Sequence, residues 1–173
     1  EMQRSLVGSE MCIRDSRMGK RHLKMAIDVA LSGAFGIDLA LDKATAEERA
    51  QIAAAVALYK ERIRPLVMRG ELYRLVSPYE SPLASLSYVS TDKQKAVVYL
   101  YQTKDGHEPR VILGGLDADK KYRVEEVSLP KGVASRFPAS GRVLTGAELM
   151  KQGLENPLNA QFESAVLMVE TLP

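Results

Sequence analysis

The stretch SYVSTDKQKAVVYLY, residues 87–101, decides the fold class of this chain. Towards its two ends β-branched and aromatic residues, such as Tyr88 and Val97, favour extended strands. Between them the polar residues 91–94 (TDKQ) are typical of a short connection between antiparallel strands. The stretch therefore predicts a β-hairpin.

Segments of the same kind continue on both sides of this hairpin, separated by turn residues such as Lys104-Asp105-Gly106. The predicted strands are residues 71–76, 85–90, 95–101, 110–114, 121–127, 141–145 and 164–171. Only residues 146–153 (GAELMKQG) break the pattern, and they predict a helical turn or two. Seven strands at this spacing predict an antiparallel β-sandwich or a related β-domain over residues 70–173. The residues predicted to be largely buried in its core are Leu86, Tyr88, Val97, Tyr99, Val111, Leu113, Val124, Val166 and Met168.

The chain before Gly70 has a different character. Apolar spacing predicts a helix near residues 21–31, and alternation predicts a short strand at 34–41. Thr45 and Glu48 have the spacing of a capping box, which predicts the start of a second helix. Pro65 disfavours helical geometry at the residue before it, so this helix is predicted to span residues 46–64. Its apolar stripe consists of Ile52, Val56, Tyr59, Ile63 and Leu66.

A single strand and helix cannot bury such a stripe between themselves, because a domain needs at least two packed layers. We therefore interpret residues 17–69 as the end of a larger domain whose other strands lie upstream. Without those strands, we expect the stripe either to fold back against the β-domain or to cause association.

Residues 1–16 are expected not to belong to the natural protein. The segment MCIRDS, residues 11–16, is similar to a translation of the transposase end sequence used to tag sequencing libraries. We therefore predict that residues 1–16 have no defined structure, and we assign no role to Cys12.

The composition excludes several classes of function. The net charge is only +2, so we expect no nucleic-acid partner and no membrane partner, although Arg14, Arg17, Lys20, Arg21 and Lys24 form a short basic run. One cysteine and two distant histidines provide no metal-ligand spacing and no internal disulfide. No cofactor-binding motif is present, so no cofactor is expected.

Several blocks of the sequence resemble a known family in order and wording. These blocks are ALSGAFGIDLAL (30–41), ALYKERIRPLVMRGELYRLVSPYE (57–80), SYVSTDKQKAVVYLY (87–101), GGLDADKKYRVEEV (114–127), SGRVLTGAELMKQGL (140–154) and ESAVLMVETL (163–172). Together they resemble the C-terminal part of glycoside hydrolase family 36, the α-galactosidases, of a bacterial type. The resemblance covers residues 17–173.

The resemblance implies a parent enzyme with an N-terminal β-domain, a central (β/α)8 barrel and a C-terminal antiparallel β-domain. Residues 34–41 and 46–64 would then be the last strand and the last helix of the barrel. Family members are retaining glycosidases that use two aspartates roughly 5–5.5 Å apart. Neither catalytic motif occurs in this sequence, so the fragment is expected to be inactive. The implied parent acts on α-galactosides and is expected to be a homo-oligomer; its compartment stays open, with the cytoplasm favoured.

Asp38 and Asp42 are the only residues expected to approach a substrate pocket, because active sites of such barrels lie at the C-terminal ends of the strands. The simpler interpretation is a surface turn before a helix. Ser90 and Lys93 have the spacing of an S-x-x-K acylation motif, but they join two strands, which favours a β-turn. The tyrosines at 73, 79, 88, 99, 101 and 122 could form a platform that stacks on sugars; in the simpler interpretation, most of them pack the β-core.

Two other functions stay open on the sequence. One is a free-standing β-sandwich that binds carbohydrate or serves in assembly, against which we set the unpartnered helix in residues 17–69. The other keeps the family but changes the reaction, to α-N-acetylgalactosaminide hydrolysis or to galactosyl transfer.

Overall fold

The computed structural model describes residues 10–14, 23–38, 42 and 44–172. Its centre is a six-stranded antiparallel sheet with the strand order β3-β4-β5-β10-β7-β8. The strands of this sheet are β3 (Glu71–Val76), β4 (Leu83–Val89), β5 (Lys95–Gln102), β7 (Lys121–Glu126), β8 (Val143–Thr145) and β10 (Ser164–Thr171). The prediction of an antiparallel β-domain is therefore confirmed.

The hairpin predicted from residues 87–101 is formed by β4 and β5, with Val89 opposite Ala96. The Ser90 hydroxyl accepts hydrogen bonds from the backbone N–H groups of Gln94 (3.2 Å) and Lys95 (3.0 Å). Ser90 and Lys93 thus belong to a β-turn, as the simpler interpretation predicted, and Lys93 has a left-handed φ of 56°.

Both faces of the sheet are covered, which makes two cores where a single core was predicted. On one face Val98, Leu100, Leu167 and Val169 pack on the small sheet of β6 (Arg110–Val111) and β9 (Leu154–Glu155) and on α4 (Gly146–Lys151). On the other face, a helical layer packs against Val97, Tyr99, Tyr101, Val166 and Met168. Of the nine residues predicted to be buried, seven are fully buried, while Leu86 and Tyr88 are half-buried.

The helical layer consists of residues before Gly70. Its elements are α1 (Leu23–Leu31), the strand β2 (Ala34–Asp38), α2 (Ala46–Leu58), a π-helical turn (Tyr59–Ile63) and α3 (Arg64–Arg69). The capping box at the start of α2 is present: the Thr45 hydroxyl accepts from the Glu48 backbone, and the Glu48 carboxylate accepts from the Thr45 N–H.

The prediction that this helix ends at residue 64 is wrong, because helical structure continues to Arg69. The π turn explains how Pro65 is tolerated. The N–H of Arg64 bonds to the carbonyl of Tyr59, five residues back, and this wider turn accommodates a residue that lacks an N–H and crowds the preceding carbonyls. Pro65 then occupies the first turn of α3, where its missing N–H costs nothing.

The apolar stripe of α2 finds its partner within the chain. Ile52, Tyr59, Ile63 and Leu66 are all buried, and Ile63 has no exposed surface. They share one core with the second face of the sheet. Of the two expected outcomes, the stripe therefore folds back against the β-domain, and it does not require upstream strands to be covered.

The prediction for residues 1–16 needs a correction at residues 10–14. These form a strand, β1 (Glu10–Arg14), which pairs in parallel with β2. The physical reason is that an extended strand presents unpaired N–H and C=O groups along its edge, and an adjacent chain segment satisfies them. Residues 1–9 and 15–16, and the predicted strand residues 39–41, lie outside the described residues.

The predicted strands at 110–114 and 141–145 are shorter than expected, and the second comprises only Val143–Thr145. Residues 110–114 contribute only Arg110 and Val111 to a strand. The chain turns away at Gly114 and Gly115, because the ring of Tyr73 packs against both glycines and Gly115 has a φ of 77°. A β-carbon at Gly115 would lie 2.3 Å from the Tyr73 ring, so the position requires glycine.

Candidate functional site

The predicted pocket rim lies where β2 ends. Asp38 is the last residue of this strand, and Asp42 is exposed in the turn that follows. Asp38 thus lies at the C-terminal end of a strand, as its candidate role requires, and Asp42 follows four residues later. The role itself stays a prediction.

The opposite end of β2 is held by a set of contacts that the sequence did not reveal. Four tyrosine hydroxyls donate hydrogen bonds to backbone carbonyls at and just beyond the C-terminal turn of α1. The bonds run from Tyr101 to Asp28 (3.0 Å), from Tyr99 to Leu31 (2.8 Å), from Tyr88 to Ser32 (3.1 Å) and from Tyr59 to Gly33 (2.9 Å).

These hydroxyls provide hydrogen-bond donors for backbone carbonyls at a buried helix end. The last four carbonyls of a helix lack partners within the helix, and leaving them unsatisfied in a core costs free energy. Tyr88, Tyr99 and Tyr101 extend from neighbouring strands on one face of the sheet. Tyr99 and Tyr101 reach two of these helix carbonyls, and Tyr88 reaches the next carbonyl along the chain, that of Ser32. Burial raises the pKa of Tyr99 and of Tyr101 well above the ordinary tyrosine value, so both hydroxyls keep their protons and remain donors.

The tyrosines therefore pack and cap, which corresponds to the simpler of the two interpretations. Three of the predicted tyrosines form this junction, together with Tyr59 from the π turn. Of the others, Tyr122 is buried and donates to the carbonyl of Lys93 (2.7 Å), whereas Tyr79 is 96% exposed. Tyr73 donates to the Glu71 carboxylate (2.7 Å).

A buried ion pair joins α1 to the sheet beside this junction. The ammonium group of Lys24 donates to the Asp28 carboxylate (2.6 Å), to the Ser128 hydroxyl (3.2 Å) and to the Ser164 carbonyl (2.7 Å). The Ser164 hydroxyl also donates to Asp28, at 2.7 Å. Burial raises the pKa of Asp28, and Lys24 offsets this only in part. Sequence offers one weak signal for the pair, the i,i+4 spacing on a predicted helix.

Arg62 provides a second tether. Its guanidinium contacts the carboxylates of Glu125 (3.0 Å) and Glu170 (2.9 Å) on β7 and β10. These carboxylates hold the pKa of Arg62 above its ordinary value despite partial burial. The π turn thus contacts the sheet through the ion pairs of Arg62 and through the buried side chains of Tyr59 and Ile63.

The described residues contain no group of three or more His, Cys, Asp or Glu side chains arranged to hold a metal ion. Along the same part of the chain, no helix combines the length and the apolarity needed to cross a lipid bilayer.

Fold and junction together give the class of the structure: an antiparallel β-domain whose sheet packs against a layer of helices. Residues 83–169 match the model of the glycosyl hydrolase family 36 C-terminal domain. The chain belongs to glycosyl hydrolase family 36, and the resemblance stated from the sequence is confirmed.

Curated relatives are α-galactosidases from fungi and bacteria. Probable α-galactosidase G of Aspergillus terreus is 33% identical over 143 residues, which is 81% of this chain and 18% of the relative. α-Galactosidase AgaA of Geobacillus stearothermophilus is 36% identical over 113 residues, or 64% of this chain and 15% of the relative. The chain therefore spans about a fifth of the length of the relatives that it matches.

Solved structures agree in fold. The crystal structure of family 36 α-galactosidase AgaB from Geobacillus stearothermophilus matches with a TM-score of 0.74 and 31% identity, covering 89% of this chain and 20% of that one. AgaA from the same organism matches with a TM-score of 0.76 and 29% identity, covering 95% of this chain and 22% of that one.

Proposed function

We propose that this chain is the C-terminal region of an α-galactosidase, in which the β-domain holds the last β/α unit of a catalytic barrel in place. The observation that carries the proposal is the tyrosine junction. Its four hydroxyls fix the backbone from Asp28 to Gly33, immediately before β2 begins. The proposed role is positional, and no residue of the chain is assigned to bond cleavage.

The direction of β2 supports this role. A five-residue strand is about 16 Å long, so Asp38 lies far from the tyrosine-bound end. In (β/α)8 enzymes the chemistry takes place at the C-terminal ends of the strands, and the other end serves stability. The β-domain would therefore support the stability end and leave the end with Asp38 and Asp42 free to face a substrate.

A free-standing β-sandwich that binds carbohydrate or serves in assembly is a weaker alternative, although the helix of residues 46–64 is no longer evidence against it. The stripe of α2 is covered by the sheet, so an unpartnered helix no longer counts against a self-sufficient module. Against it stands the extent of the similarity. The match to AgaA covers 95% of the chain, whereas the residues from Glu71 onward make up only about three fifths of it. The helical layer therefore has counterparts in an α-galactosidase.

A pair of chimeras tests the positional role. In the first, residues 23–172 replace the corresponding C-terminal region of AgaA; in the second, only residues 71–172 are exchanged, so that the junction becomes a hybrid. We expect the first chimera to hydrolyse a chromogenic α-galactoside with a higher thermal inactivation temperature than the second, because its junction stays intact. Equal inactivation temperatures would contradict the positional role.

The isolated chain provides the complementary measurement. We expect no turnover of the chromogenic α-galactoside by residues 1–173 under conditions in which AgaA is active, because the two catalytic aspartates would lie upstream. Turnover above a denatured control would overturn the assignment. The same assay with an α-N-acetylgalactosaminide and with a sugar acceptor, on the complete natural protein, decides among hydrolysis of either substrate and galactosyl transfer. A bacterial source and a homo-oligomeric parent stay predictions.

A further inference from the structure

A cavity of about 430 Å³ opens where β7 ends and β10 begins, beside the first turn of α1. It lies between the loop after β7 and the loop before β10. Six of its lining residues combine charge with aromatic surface: Lys24, Glu126, Arg136, Phe137, Phe162 and Glu163. The volume falls within the range of about 300–1,000 Å³ that is typical of small-molecule sites.

The acidic groups of this cavity are fixed in position. Glu126 is only 9% exposed, and its carboxylate accepts a 2.5 Å hydrogen bond from the Ser135 hydroxyl. One oxygen of Glu163 accepts from the backbone N–H groups of Asn159 (2.9 Å) and Ala160 (3.1 Å), and the other accepts from Arg136 at 2.6 Å. Burial raises the pKa of Glu126. Because these carboxylates are already fixed in position, they can accept hydrogen bonds from a ligand's hydroxyl groups without losing further side-chain entropy.

The aromatic side of the cavity has an unusual backbone. Phe162 has a φ of 71°, a conformation that bulky side chains rarely adopt. Its N–H donates to the Gln102 carbonyl (2.9 Å), which holds the strained residue in the loop two residues before β10. Strain of this kind persists where the surrounding structure enforces it, and it is enriched at ligand-binding positions. Phe137, which is 4% exposed, completes the apolar wall.

The charges of the cavity indicate the class of ligand. Both cations of the lining are already paired: Arg136 with Glu163 in the cavity, and Lys24 with the buried Asp28 behind it. Because both cations are paired, the site gives little attraction to an anion. It offers both donors and acceptors beside an aromatic wall, which suits a neutral ring with hydroxyl groups on its edge and C–H groups on its face.

We propose that this cavity binds one sugar unit of a neutral oligosaccharide. The proposal goes beyond the positional role described above and concerns different residues. Glu126 and Glu163 would accept hydrogen bonds from sugar hydroxyls, Arg136 would donate, and Phe162 would pack against the face of the ring.

The test is a titration of the isotope-labelled full chain with raffinose, followed by NMR chemical shifts. Galacturonate and galactosamine serve as charged monosaccharide probes, and neutral galactose, which has the same ring size, is their reference. Two variants remove one interaction each: Glu126→Gln keeps shape while removing charge, and Phe162→Gly removes the ring at a position whose backbone favours glycine, so that the fold is retained. Glu155→Gln, on an exposed glutamate outside the cavity lining, is the matched control.

We expect millimolar binding of raffinose with shifts concentrated on residues 126–137 and 158–164, and weaker binding of both charged probes than of galactose. Affinity should fall at least tenfold in Glu126→Gln and in Phe162→Gly and stay unchanged in Glu155→Gln. Absence of binding, shifts elsewhere, unchanged affinity in both cavity variants, or tighter binding of a charged probe would each overturn the proposal. Because binding is measured on this chain alone, such a failure leaves the chimera result unaffected.

Discussion

Removing the hydroxyl of Tyr99 is the sharpest test of the junction. Tyr99 is fully buried, and its hydroxyl donates to the Leu31 carbonyl at the end of α1. The variant Tyr99→Phe keeps the ring and its packing, including the edge contact with Tyr88 at 6.3 Å between ring centroids. Only the hydrogen bond disappears, and a helix-terminal carbonyl loses this donor inside the core.

The expected cost follows from this geometry. Leaving a buried carbonyl unsatisfied costs about 1–3 kcal/mol, whereas deleting an exposed hydroxyl costs next to nothing. We expect the free energy of unfolding to fall by about 1–2 kcal/mol, since some relaxation of the helix end recovers part of the loss. For a chain of this size, that corresponds to a decrease in melting temperature of roughly 2–8 °C.

Urea unfolding at neutral pH measures the effect, and Tyr79→Phe is the matched control because Tyr79 is 96% exposed. The slope of unfolding free energy against urea should be the same in both variants. A double-mutant cycle with Tyr88→Phe should show less than additive losses, because both hydroxyls cap neighbouring carbonyls of the same turn. If Tyr99→Phe were as stable as Tyr79→Phe, the tyrosines would be packing residues only.

Two further predictions concern the same layer. Because burial raises the pKa of Asp28, its protonation favours the folded state; this stability is present below the usual carboxyl range and is lost as the pH rises through the folded-state pKa. Urea unfolding should therefore show Asp28→Asn gaining stability relative to the natural chain as the pH rises above the usual carboxyl range, and a constant difference would count against it. Deleting residues 1–70 exposes Val97, Tyr101 and Met168, so the shortened chain should aggregate in light scattering; a monodisperse product would show that the sheet does not need its helical layer.

The strands were predictable because their signals are local. Alternation and turn chemistry place β3 and β10 at the residues observed, and the two ends of the hairpin within two residues. The capping box of α2 is equally local, since Thr45 and Glu48 satisfy each other. Where a single residue and its neighbours decide the conformation, the sequence is sufficient.

The packing partners were not predictable in the same way. The pattern showed that Ile52 and Ile63 would be buried, but not that the covering surface is the second face of the β-domain. In β5 this information is hidden, because the run from Ala96 to Gln102 is buried on both faces and loses the alternation that would separate them. The helix end was missed for a related reason: the rule for Pro65 assumes an α-helix, and the π turn changes the local hydrogen bonding.

In the candidate sites, too, local features were predictable from the sequence and long-range contacts were not. The positions of Asp38 and Asp42 at and after the end of β2 were predictable because they depend on a local strand signal, while their role at a pocket rim stays a prediction. The tyrosine junction was not predictable, since Tyr59 and Tyr99 are 40 positions apart and converge only when the sheet forms. The cavity at Glu126 and Phe162 depends on two loops that meet at the sheet's end, and a left-handed phenylalanine has no signature in sequence.

The division of the chain near residue 70 marks a change of secondary structure and not a physical boundary. Gly70 lies where α3 leads into β3, and a β-carbon there would come within 2.6 Å of the Leu66 carbonyl and 2.9 Å of the Val89 carbonyl. The helix and the sheet are therefore in close contact at the residue where the secondary structure changes from helix to strand. Since the sheet has an apolar residue set on each face, it needs both covers. It follows that the helical layer and the β-domain stabilise each other, and that the backbone just before β2 is held by three tyrosines of the β-domain together with Tyr59 of the helical layer.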